Sequence, residues 1–133
     1  MLNGCIGGLV AITAEPLMPS PLAAILIGAV GGIIVVYGTK FLLSMKIDDV
    51  VGAIPAHLFA GIWGTLAVPI TNPDTYFGAQ LLGVISINAF VFIVSLIVWG
   101  IMKSTIGIRL SKEGELKGTD VTETGVIAYA IRD

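Results

Sequence analysis

His57 is the chain's single histidine, and it lies in DDVVGAIPAHLFAGIWGTLAVPI, residues 48 to 70. After the two leading carboxylates, Pro55, His57, Thr65 and Pro69 interrupt an apolar or small-residue run. A neutral imidazole carries one hydrogen-bond donor and one acceptor, so in an oily setting both nitrogens call for partners. Charging the ring there would cost several kcal/mol more, which favours the neutral form. At helical spacing Ala53, His57, Gly61 and Gly64 fall on one face, with Ala60 beside them. Small neighbours leave space beside the ring for a substrate or for a closely packed helix. Two roles compete at this point: a ring lining a path through a bundle, or a ring bridging two helices. Pro55 removes one helical hydrogen bond and frees a carbonyl, which then needs another partner, although it also fits a simple kink. Asp48 and Asp49 precede the run and suit capping the helix and opposing its positive end.

Other chemistries find no residues to carry them. The lone Cys5 excludes an intramolecular disulfide, and with one histidine far from it no metal-ligand spacing arises. No nucleophile–base pair is visible, so an enzyme is not expected, nor is a cofactor. The formal charge is −2 without a basic run, which gives nucleic-acid binding no electrostatic support. The N-terminus lacks the positive region of a signal peptide.

The surroundings that must position His57 can be read from hydropathy. The 133 residues are 56% hydrophobic and 12% charged, with mean hydropathy +0.98. A soluble domain carries about a quarter charged residues, so this chain cannot cover its surface against water, and lipid is the expected solvent. Residues 1–102 hold only Glu15, Lys40, Lys46, Asp48, Asp49 and Asp74; the remaining charges lie in 103–133. Crossing the bilayer core takes roughly 20 apolar residues. Segments 22–44, 50–70 and 77–102 meet that length, whereas 2–14 is apolar but short. The joints are AEPLMPSP at 14–21, MKIDD at 45–49 and TNPDTY at 71–76, all rich in turn formers or charge. Lys40, Lys46, Lys103 and Arg109 then fall on one side of an alternating topology. The positive-inside rule places loop 45–49 and the C-terminal tail in the cytoplasm, and 14–21 and 71–76 outside. Gly4 and Gly8, Gly28 and Gly32, and Gly61 and Gly64 have the spacing that lets membrane helices approach closely. The fold class is therefore all-α, a polytopic membrane helix bundle, with helices over 1–102 and a tail over 103–133.

KIDDVVGAIPAHLFAGIWGTLAV resembles the tenth-helix signature of the ammonium transporter (Amt/Mep/Rh) family. LNGCIGGLVAITA resembles that family's eighth helix, and GIRLSKEGELKGTDVTETGVIAY its cytoplasmic tail. The three stand in family order and cover essentially the whole chain. The resemblance implies ammonium or ammonia as the transported species, a partial ammonium transporter fold and homotrimeric assembly in a plasma or inner membrane. It makes His57 the second of two pore histidines, with Ala53 and Gly61 beside it on the pore wall. Of eleven family helices, only about the last four are matched, so an incomplete channel is expected. The alternative is a truncated, non-transporting membrane protein that associates with full-length subunits. In the tail, Asp120, Glu123, Gly125 and Tyr129 match the family pattern, while Thr124 replaces its usual histidine. The family's tail packs beneath the trimer and communicates with PII-type nitrogen regulators, so the same region is the candidate regulatory surface.

Overall fold

The computed structural model describes residues 2–15, 17 and 19–127. Its elements are helical throughout, and no strand occurs among the described residues. They form two units, residues 1–90 and 91–133.

The first unit begins with α1 (Leu2–Ile12) and α2 (Pro21–Ser44). Ser20 starts α2: its hydroxyl accepts from the Ala23 N–H at 3.3 Å, and Pro21 occupies the first turn, where a missing N–H costs nothing. A π-helical turn (Ile54–Phe59) runs directly into α3 (Ala60–Thr71). α4 (Phe77–Thr105) begins in the first unit and ends in the second. Three helical stretches are long and apolar enough to cross a membrane: Pro21–Ser44, Ile54–Thr71 and Phe77–Thr105.

Three boundaries differ from the sequence expectation. α1 stops at Ile12 rather than 14, where Thr13 turns its N–H and hydroxyl back onto the Val10 carbonyl. The span expected over 50–70 starts later, because Val50–Gly52 forms a turn with Gly52 at φ +70°. α4 continues past 102 to Thr105; the Ser104 and Thr105 hydroxyls both bond the Ile101 carbonyl, and Gly107 at φ +76° ends the helix.

Close backbone approach holds α1, α2 and α3 together. A Cβ on Gly8 would sit 3.0 Å from the Gly28 carbonyl oxygen, so a side chain there would push the two helices apart. Ala11, Ile27 and Ala67 form one buried cluster, with Ile12 and Trp63 against it. Val35, Ala56 and Ala60 form a second, flanked by Val10. Trp63 adds a polar tie, donating from Nε1 to the Ile27 carbonyl at 3.0 Å. These layers set the azimuth of α3 and hence the direction in which His57 points.

Candidate functional site

The backbone leading to His57 has an accountable set of hydrogen bonds. The Asp49 carboxylate accepts from Ala53 N–H at 2.9 Å through Oδ1 and from Ile54 N–H at 2.8 Å through Oδ2. Pro55 has no N–H, and the Ala56 N–H returns to the Gly52 carbonyl at 3.2 Å. Asp49 therefore caps the helix with both oxygens. Asp48 makes no side-chain hydrogen bond among the described residues. It is exposed.

The turn that carries His57 is wider than an α-helical one. The Ala60 N–H reaches the Pro55 carbonyl five residues back as well as the His57 carbonyl three back. Such π turns often occur at functional sites. The extra residue rotates the chain before the turn relative to the helix after it. As a result, the face drawn at plain helical spacing is split. His57 and Gly61 line one groove together, while Gly64 turns to α1, where a Cβ would lie 2.2 Å from the Ala11 carbonyl oxygen. Ala53 is exposed at the start of the turn and is not among the residues lining the groove.

The groove holds about 290 Å³. His57 is exposed to it, and the wall continues through Leu58, Ile62 and Thr65. Gln80 and Asn88 of α4 face the same space with Gly83, Val84 and Ile87. Asn88 spends one amide hydrogen on its own helix, donating to the Val84 carbonyl at 2.7 Å, and its Oδ1 makes no further hydrogen bond among the described residues. The groove is thus mainly apolar with a few groups able to donate or accept. Such a lining can offer a small polar solute apolar contact and a few hydrogen bonds. Sequence reasoning did not single out Thr65, Gln80 or Asn88. The signal was present in Gln80 and Asn88, polar residues eight apart in an apolar helix, with Val84 midway between them.

The family model described as the Ammonium Transporter Family matches residues 1–129. The chain belongs to this family. It is similar to the ammonium transporter Amt2 of Archaeoglobus fulgidus, 36% identical over 96% of this chain and 31% of that protein. A Synechocystis protein provisionally named an ammonium transporter is 42% identical over 93% of this chain and 28% of its own length. The ammonium transporter Amt1 of Haloferax mediterranei is 34% identical over 97% of this chain and 26% of itself. The chain spans about a quarter to a third of the length of these relatives. These relatives are named as ammonium transporters, so the family is one of transporters rather than of enzymes.

The family tail lies in the second unit. Ser111 caps the short helix α5 (Lys112–Lys117) by accepting from the Gly114 N–H at 3.1 Å. Arg109 grips Glu115 with two nitrogens, one on each carboxylate oxygen. This hydrogen-bonded pairing holds the Glu115 carboxyl below its ordinary value and raises Arg109 further. A second π-helical turn (Asp120–Thr124) contains two of the tail candidates, Asp120 and Glu123. The Thr124 hydroxyl donates to the Asp120 carbonyl at 2.5 Å, and Gly125 ends the turn at φ +69°. The Thr122 hydroxyl donates to the Gly114 carbonyl at 3.2 Å, joining the turn to α5. Tyr129, the remaining tail candidate, lies outside the described residues.

Proposed function

We propose that this chain forms the C-terminal part of an ammonium-conducting channel and that His57 lines its pore. The observation that carries the reading is the exposure of a lone intramembrane imidazole on a mostly apolar groove of about 290 Å³. Gly61 keeps the adjoining wall low, and Ala53 stands one turn earlier. In such a setting a neutral ring exchanges hydrogen bonds with ammonia, while the dry apolar wall penalises a cation. Ammonium would release its proton before passing the ring and regain one beyond it. The complete channel assembles as a homotrimer in a plasma or inner membrane. Its tail is cytoplasmic and carries the surface, built on Asp120, Glu123, Gly125 and Tyr129, that a PII-type regulator would read.

The test is His57→Leu in the channel that contains this chain. Leucine keeps bulk and apolarity but removes both nitrogens. We expect normal amounts of assembled protein in the membrane, with altered ammonium flux or altered discrimination against potassium. Normal assembly with unchanged flux and selectivity would sink the pore assignment. Poor assembly would mean that the ring bridges helices instead, leaving its partner unpaired in lipid.

A further inference from the structure

The turn that leads into His57 carries a backbone carbonyl whose donor comes from another helix. Around the start of the turn, Ala53 and Ile54 donate to the Asp49 carboxylate, and Ala56 donates to the Gly52 carbonyl. With Gly52 at φ +70°, the Val51 carbonyl lies outside this helical ladder, and Pro55 sits in the first turn, where a missing N–H costs nothing. The Val51 carbonyl instead accepts from Nδ2 of Asn3, in the first turn of α1, at 2.7 Å. The same side chain fills the space beside Gly52: a Cβ there would lie 2.3 Å from Asn3 Nδ2, and Gly52 sits at φ +70°. Asn3 is half-buried and separated from Val51 by 48 residues, so nothing local dictates the pairing.

We infer that Asn3 is a positioning residue for His57, acting through the Val51–Gly52 turn that sets where the π-helical turn begins. The π turn is a register that competes with ordinary α-helix, and the orientation of His57 depends on which one the chain adopts. Asp49 holds the two amides before Pro55, and Asn3 holds the carbonyl before Gly52. Together they account for the backbone polar groups at the entry to the turn, so either one lost lets the start of the helix shift by a residue. Asn3 touches no solute. Its effect reaches the pore only by way of the ring's position. The placement of Asn3 is independent of what passes through the groove, and its consequence for flux rests on the pore reading above.

Because the link is a single side-chain amide on a backbone carbonyl, it predicts rescue by a variant that keeps the donor. In a Cys5→Ser background, a cysteine placed by His57→Cys reports the position of that site by its rate of reaction with a water-soluble thiol reagent. Adding Asn3→Leu should change that rate about fivefold, the population shift expected from one lost hydrogen bond of ordinary strength. In the same background, Asn3→Gln keeps an amide donor for the Val51 carbonyl and should bring the rate back. The variants are measured in membranes holding the channel that contains this chain, with assembled protein quantified alongside. An unchanged labelling rate with Asn3→Leu overturns the inference. If Asn3→Leu lowers assembly, recovery of assembly and labelling with Asn3→Gln supports the inference and no recovery overturns it. With His57 retained, Asn3→Leu should lower maximal ammonium flux and leave the half-saturating concentration nearly unchanged, again with rescue by Asn3→Gln. If His57→Leu leaves transport untouched while the labelling and rescue behave as stated, the pore reading fails and the positioning role of Asn3 stands.

Discussion

Asp48 and Asp49 are adjacent carboxylates with unequal work. Both oxygens of Asp49 are spent on the Ala53 and Ile54 amides, whereas Asp48 makes no side-chain hydrogen bond among the described residues. Removing a capping carboxylate costs about 0.5–2 kcal/mol, and this one satisfies two donors. Asp49→Ala should therefore lower stability by about 1–2 kcal/mol. Asp48→Ala should stay within about 0.5 kcal/mol, as surface changes away from such features do. Assembled yield as a function of temperature in detergent compares the two, and equal losses would contradict the assignment of the cap. In the tail, Glu115 offers a titration. Its carboxyl is held below the ordinary 4.5 by the Arg109 hydrogen bonds. A depressed acid contributes its stabilisation above the ordinary value and loses it as pH falls through the lowered one. Carboxyl NMR of Glu115 in the intact chain should give a midpoint under 4.5, and Arg109→Gln should move it upward. A midpoint unchanged by that substitution would remove the pair from solution.

At the scale of elements, hydropathy and turn chemistry made the spans legible, and the helices Pro21–Ser44 and Phe77–Thr105 lie close to where apolar length placed them. Hydropathy does not encode hydrogen-bond register. For that reason the π turn, and with it the split between His57 and Gly64, was not visible in the residue pattern. The Asn3–Val51 link was equally hidden, because it joins positions 48 apart through packing alone. The small residues were a better guide. Glycines on α1 and α2 do allow close approach, and Gly64 meets the α1 backbone so tightly that its missing Cβ is a packing requirement. Gly64→Val should cost about 3 kcal/mol or more, since the Ala11 carbonyl is backbone and cannot swing aside. Gly100→Ala offers the contrast, with nothing within 4 Å of the added carbon. Thermal loss of assembled protein should rise sharply for the first and little for the second. Comparable losses would mean that the α1–α3 contact is not what holds α3 in place.

For the molecule as a whole, the distribution of charge carries more information than its net value. Apolar side chains of α4 are exposed along its length, Phe90 at 68% among them, as suits a helix whose surroundings are lipid or other helices rather than water. The charges gather at the ends of spans. Lys40 and Lys46 flank one loop, Lys103 stands in the last turn of α4 with Arg109 beyond it, and the segments around Leu17 and Asp74 hold no Lys or Arg. We propose from that bias that loop 45–49 and the tail face the cytoplasm. The Asn72 amide donates to the Glu15 carboxylate at 3.0 Å and ties their two loops together, which in that orientation would lie on the outer side. The structure also indicates where labels can be placed without disturbing a helix end. Ser20 is spent as a cap, but Leu17 is 91% exposed and Asp48 makes no side-chain hydrogen bond among the described residues. In a Cys5→Ser background, Leu17→Cys and Asp74→Cys should react with an impermeant thiol reagent added outside sealed cells. Asp48→Cys should react only after the membrane is opened. The opposite pattern would invert the topology and place the His57 groove the other way up. Mixed labelling at all three sites would mean that the four lysines and arginines do not determine orientation in this chain.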